Sequence, residues 1–276
     1  MNAKITFLNH AAVTIEMGEV KLLIDPWFSG RCFEGGWGLR FDNPAAMDQA
    51  ADCTHLWISH FHCDHFHTQT LKELIKRNPE IHVFGNHSYN FQLDEAAKRI
   101  GFRNVTAMGE RKPYRINDDV TLTRFPSTGI DNMLVVNYKG LFILDFNDCN
   151  LPARAQRWLK KKIGPIDILL NNFNVAYKTL EYPPPAADEV KSAMKSYFLE
   201  SSREFEPAHI LPFASYHYFR IPGGWEQNQW LMSVEDLLEL DPRVVDFRIG
   251  DTWEVSRQKC ELISRPTGQV TAVNME

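Results

Sequence analysis

Along the first third of the chain, apolar and β-branched residues gather in short runs separated by turn residues. Residues 5–8 and 12–16 read as strands, and Met17-Gly18-Glu19 is the turn after the second. Residues 21–26 form a third strand, stopped by Pro26. A loop rich in glycine and aromatic residues follows, from Trp27 to Gly38. The run 54–59 reads as a buried strand, 70–77 has helical spacing, 81–85 is strand-like, and 90–100 is a helix ended by Gly101. Strands then recur at 120–125, 133–138 and 141–144, the last two joined through Lys139-Gly140 as a hairpin. Beyond them helix and strand alternate: helices at 152–163, 187–204 and 233–240, strands at 166–170 and 209–213, and a proline-broken loop at 182–185. Strands in two clusters, each followed by helices, predict an α/β (α+β) fold. Its two sheets pack face to face with helices outside, a four-layer αββα sandwich. One domain is expected over residues 1–255, with 256–276 as a peripheral C-terminal tail.

Composition narrows the class without choosing a function. The chain has 276 residues, 44% hydrophobic and 24% charged, ordinary values that exclude a disordered or fibrous protein. A formal charge of −5 argues against a partner of duplex nucleic acid, which needs a basic face. No run of apolar residues is long enough for a membrane-spanning helix. The N-terminal stretch lacks the basic-then-apolar pattern of a signal peptide. The five cysteines (Cys32, Cys53, Cys63, Cys149 and Cys260) are odd in number and form no CxxC pair, so no disulfide scaffold is expected and a cytoplasmic location is.

The chemistry is concentrated in His60-Phe61-His62-Cys63-Asp64-His65, immediately after an apolar strand. Imidazole and carboxylate together suit zinc, iron or manganese rather than calcium or magnesium. In an extended segment His60 and His62 point to one side. A tightening at Asp64-His65 would serve a second ion, and two ions roughly 3.5–4 Å apart can share an activated hydroxide. His67, just beyond, reads as a loop or pocket side chain. The phrase Trp225-Glu226-Gln227-Asn228-Gln229-Trp230 reads as a polar, aromatic surface turn or a sugar contact.

An HxHxDH segment after an apolar strand resembles the signature of the metallo-β-lactamase superfamily. The runs around Leu8-Asn9-His10, Leu23-Ile24-Asp25-Pro26-Trp27 and Ile143-Leu144-Asp145-Phe146-Asn147-Asp148-Cys149 are similar to other strands of that fold. Within it, Asp25-Pro26-Trp27-Phe28-Ser29-Gly30, Gly36-Trp37, Ile58-Ser59-His60, Tyr138-Lys139-Gly140, Asp148-Cys149 and Pro212-Phe213-Ala214 most resemble the catalytic domain of the CMP-N-acetylneuraminate hydroxylases and their bacterial relatives. The resemblance implies that His60 and His62 hold a first metal, that Asp64 and His65 hold a second, and that Asp148 bridges them, with Asp145 as competitor. It also implies a final ligand from His217, an outer carboxylate from Asp25 on a ligand imidazole, and His10 beside the cleft without binding metal. One departure stands out. Where the family supplies a third histidine, this chain has Phe125-Pro126-Ser127-Thr128-Gly129-Ile130-Asp131, so Ser127 or Asp131 must fill the place.

Three functions follow from that resemblance. The first is a metallohydrolase using one or two zinc, iron or manganese ions to activate water against a small ester, amide or phosphoester, with Asp64 and Asp148 as the catalytic carboxylates. The second is an iron-dependent oxygenase. It would need a separate electron-donor protein, because the Cys/His pairs of a Rieske module are missing from this sequence. The third is a degenerate binding protein. The partner expected in each case is a small molecule, such as a sugar or nucleotide sugar.

Overall fold

The computed structural model describes residues 2–87, 92–127, 129–176, 185–220 and 225–273. An eight-stranded sheet runs in the order Cys260–Ser264, Thr252–Val255, Ala3–Asn9, Ala12–Met17, Val20–Ile24, His55–Trp57, His82–Gly85, Asn104–Ala107. A six-stranded sheet runs Pro113–Arg115, Val120–Pro126, Asn132–Tyr138, Leu141–Asn147, Ile168–Asn171, His209–Pro212. Each sheet is antiparallel on one side and parallel on the other. The parallel pairings require crossovers, and in the eight-stranded sheet helices Thr68–Arg77 and Leu93–Ile100 fall in them.

Side-chain alternation builds the layers. Leu22 and Ile24 point into the core between the sheets while Leu23 points the other way, towards helices Ala46–Ala51, Thr68–Arg77 and Leu93–Ile100. The six-stranded sheet repeats the device: Leu134, Val136, Ile143, Ile168 and Leu170 face inwards, and Val135, Leu144 and Leu169 face outwards to Leu159 and Phe205 of helices Ala153–Ile163 and Ala187–Phe205. These strands are apolar on both faces because both faces are covered. The layers are therefore αββα. No helix among the described residues is long and apolar enough to cross a membrane.

Several boundaries differ from the sequence expectation for local reasons. His67 caps Thr68–Arg77: its Nδ1 accepts from Thr70 N at 3.3 Å, and this starts the helix before Thr70. The helix expected at 90–100 is described from Leu93, and residues 88–91 lie outside the described set, as do 177–184 with most of the proline-broken loop. The helix expected at 233–240 is reduced to Glu235–Leu238. Trp225–Trp230 is a 3₁₀ segment with Gln227 and Trp230 buried, so it serves the interior rather than a surface turn. Beyond residue 255, Cys260–Ser264 adds an edge strand to the larger sheet and Thr271–Ala272 pairs with Phe41–Asp42. Arg265 holds this stretch to Asp251 at 2.7 Å.

The loop 27–39 returns as a small sheet in which Trp37–Leu39 pairs with both His217–Phe219 and Arg31–Cys32. Gly38 permits the pairing: a Cβ there would meet the Tyr218 ring at 2.5 Å.

Candidate metal centre

The candidate ligands lie at strand ends or on the loops that follow them. The strand His55–Trp57 runs into Ser59-His60, Val20–Ile24 ends at Asp25, and Leu141–Asn147 ends beside Asp148. His10, Asp25 and Asn147 all take positive φ, near 39°, 37° and 36°. Each costs of order 1 kcal/mol for a non-glycine residue, and such strain clusters where side chains are aimed for function. Here the left-handed turns deliver His10, Asp25 and Asp148 to one place.

Three groups of ligand atoms converge. His60, His62 and Asp131 form one; His60, His65 and Asp148 a second; His10, Asp64 and His65 a third. Within them His60 Nε2 lies 2.9 Å from His62 Nδ1 and 3.6 Å from Asp131 Oδ1. His65 Nε2 lies 3.1 Å from Asp148 Oδ2 and 3.5 Å from Asp64 Oδ2, and His10 Nε2 lies 3.1 Å from that same oxygen. Imidazoles His60 and His65 thus link the groups into one cluster.

Behind them, Asp25 sets the tautomers. Its Oδ1 accepts from Ser59 N at 2.8 Å, and its Oδ2 accepts from Ser59 Oγ at 2.6 Å and from His65 Nδ1 at 2.8 Å. With its proton given to Asp25, Ser59 Oγ accepts from His60 Nδ1 at 2.9 Å. Both imidazoles then carry hydrogen on Nδ1 and turn the Nε2 lone pair into the cluster, the form in which imidazole ligates a metal.

The electrostatics point to a cation. Burial opposes a charge on His65, yet Asp64, Asp148 and Asp25 together hold it well above its usual range. Burial likewise opposes ionisation of Asp64 and Asp148, but His65 leads in drawing both below the usual carboxylate range, Asp148 to about 2. Burial keeps His60 neutral, lowered to about 3. Asp131 is raised to about 7 by burial and by Asp148. Carboxylates that draw positive charge onto His65, beside a neutral His60, form a field that a divalent ion would satisfy. Asp64 is 2% exposed and its Oδ1 has no hydrogen-bond partner, which suits a ligand atom whose partner is an ion. The donor set therefore fits a transition metal.

His217 lies beside these groups. Its ring stacks on Trp37 at 3.8 Å and stands 5.6 Å from His10, and both its buried nitrogens are unpartnered. Burial pushes it down to about 3, so a neutral nitrogen faces the cluster region. Asp145 is wholly buried with both oxygens unpartnered, and burial, with Asp25 nearby, pushes it well above the usual carboxylate range. Asp148, not Asp145, joins the histidines. His87 instead bonds Asp94 at 2.9 Å. Two residues gain importance over the sequence reading. His10, expected beside the cleft, belongs to a ligand-distance group. Asp131 stands where a third histidine was missing, and Ser127 contributes a buried hydroxyl without a partner. The signal for Asp131 was present as a carboxylate four residues after Ser127; nothing local marked His10.

With this geometry in view, comparison with known proteins defines the class. Residues 4–171 match the family described as a beta-lactamase superfamily domain, and the chain belongs to the metallo-β-lactamase superfamily. Among curated relatives, the cytidine monophosphate-N-acetylneuraminic acid hydroxylase of Asterias rubens is 28% identical over 241 residues, which is 79% of this chain and 36% of that protein. This chain thus spans about a third of the length of that relative. Among solved structures, Igni18, a metallo hydrolase from Ignicoccus hospitalis, aligns at TM-score 0.64 and 16% identity over 93% of this chain and 99% of its own. CmlA, a diiron β-hydroxylase from Streptomyces venezuelae, aligns at TM-score 0.59 and 17% identity over 77% of this chain and 44% of its own. Both share the fold.

Proposed function

We propose that this protein is an iron-dependent oxygenase acting on a small anionic sugar or nucleotide sugar. The observation that carries the reading is the composition of the ligand groups. With Asp131 in place of a histidine, each of the three is two imidazoles and one carboxylate. That donor set is the facial triad of non-haem iron oxygenases; catalytic zinc also takes two histidines and a carboxylate, so loading with each metal separates the two. The relationship to nucleotide-sugar hydroxylases agrees with it.

In this reading His60, His62 and Asp131 would hold one ion and His10, Asp64 and His65 its neighbour, with Asp148 beside His60 and His65 and with His217 nearby. Bound there, iron supplies the redox chemistry of oxygen insertion. Asp25 and Ser59 keep the two linking imidazoles oriented. Trp37 stacks on His217, and Phe33 lies edge-on to His62. Such a reaction needs an electron donor. The helix Ala153–Ile163 begins five residues after Asp148; Arg157 and Lys160 pair with Glu204 and Glu206, while Arg154, Lys161 and Lys162 lie on the helix that carries the exposed Trp158, a surface an acidic donor protein would suit.

A hydrolase is the second reading, favoured by one observation: none of the five cysteines has the spacing of an iron–sulfur module, and hydrolysis needs no electrons. The test loads the protein with Fe(II) or Zn(II) and supplies a chemical reductant and cytidine monophosphate-linked sugars. Oxygen consumption matched by a hydroxylated product, with iron alone, is expected. Oxygen-independent cleavage by the zinc form would replace this reading with the hydrolase.

A further inference from the structure

Cys32 and Cys63 come from separate parts of the chain, thirty-one positions apart, yet each thiol touches the other segment's backbone. Cys32 Sγ lies 3.0 Å from the Cys63 carbonyl and donates to it. Phe33 N donates to Cys63 Sγ at 3.0 Å. Cys32 is buried and Cys63 half-buried, so an oxidant reaches one sulfur of the pair and finds the other behind it. The remaining cysteines are elsewhere: Cys53 and Cys149 are buried, and Cys260 sits on the edge strand of the larger sheet.

We propose that Cys32 and Cys63 form a reversible dithiol–disulfide pair that pins the aromatic loop 27–39 onto the metal-binding segment 60–65. The position gives the bond a consequence. Cys63 sits between His62 and Asp64, and Cys32 begins the stretch that carries Phe33 against His62 and Trp37 against His217. A covalent tie at this point holds the cover in place; its reduction frees it.

Hydrogen peroxide is sufficient as oxidant. Cys63 sulfur attacks one peroxide oxygen, the O–O bond breaks, and Cys63 becomes a sulfenic acid with release of water. Cys32 Sγ then attacks the Cys63 sulfur, the S–S bond forms, and the hydroxyl leaves with the Cys32 proton as a second water. Two electrons pass from the thiol pair to one peroxide. A small dithiol reverses the change.

The experiment treats the full metal-loaded chain with stoichiometric peroxide and maps its thiols by mass spectrometry. The expected result is loss of two thiols, an intramolecular 32–63 disulfide, and full reversal by dithiothreitol. Closing this loop is expected to raise the unfolding midpoint by about 5 °C. It is also expected to slow loss of metal to a chelator roughly tenfold, the scale on which outer contacts tune metal sites. Cys32→Ser is expected to abolish the disulfide and leave a Cys63 sulfenic acid that dimedone traps; Cys63→Ser, with Cys32 buried, is expected to leave no reactive thiol at this site. Oxidation of Cys63 to sulfinic acid with Cys32 untouched, a cross-link between chains, or a disulfide that leaves the rate of metal loss unchanged would each overturn the proposal. None of these readouts depends on which reaction the centre catalyses.

Discussion

The middles of the strands and their ends obey different rules in this molecule. In the middle, Leu22, Leu23 and Ile24 simply alternate between two apolar layers. One residue further, Asp25 turns left-handed and is wholly buried as a carboxylate, bonded to Ser59 and His65. The same contrast separates Ile143 from Asp148 and Leu56 from His60. Stability resides in the strand centres. At the site, strained turns, unpartnered carboxylate oxygens and opposed buried charges gather at strand ends, where the apolar layers hold them in place.

That division predicts a graded series of effects. Leu170→Ala removes a side chain from between the sheets and is expected to cost about 2–5 kcal/mol in urea unfolding, with the metal-binding stoichiometry intact. Asp25→Asn breaks the orientation of His60 and His65. Chelator competition is expected to show metal affinity lower by about 10–100-fold, which is about 1.4–2.8 kcal/mol, and a smaller change in unfolding than Leu170→Ala. Asp131→Ala sharpens the contrast further, since its carboxylate is held near the surface of the site. It is expected to weaken one ion by about tenfold or more, leaving the other in place, as metal counting at rising chelator concentration would reveal. His67→Ala removes only a helix cap and is expected to cost about 1 kcal/mol of stability with no change in metal binding. If His67→Ala released metal, the boundary between structural and functional histidines drawn here would be misplaced.

Much of this was legible in the sequence because two periodicities are local. Alternation around Leu22–Ile24 and Leu134–Val136, with helical runs between, predicts the layers without any knowledge of contacts. The motif 60–65 states its chemistry because the ligands are neighbours in the chain. What the sequence could not show is what comes from afar. His10 joins Asp64 across fifty-four positions, delivered by a left-handed turn that nothing in Asn9-His10-Ala11 announces. Asp131 could be named as a substitute for the missing histidine but not chosen over Ser127 until the strand Asn132–Tyr138 fixed its direction. His67 is the converse case: a histidine beside a metal motif whose nitrogen is taken by Thr70.

The central claim is that His60, His62, His65, Asp64, Asp131 and Asp148 act as one cation site held by a fold that does not require the cation. Elemental analysis of protein purified without a metal-binding tag, run beside His62→Ala and paired with circular dichroism, addresses it directly. About one to two transition-metal ions per chain are expected in the parent, with substantial loss in His62→Ala and unchanged secondary structure in both. A parent protein that is fully folded yet takes up no iron, zinc or manganese when these are supplied would contradict the account.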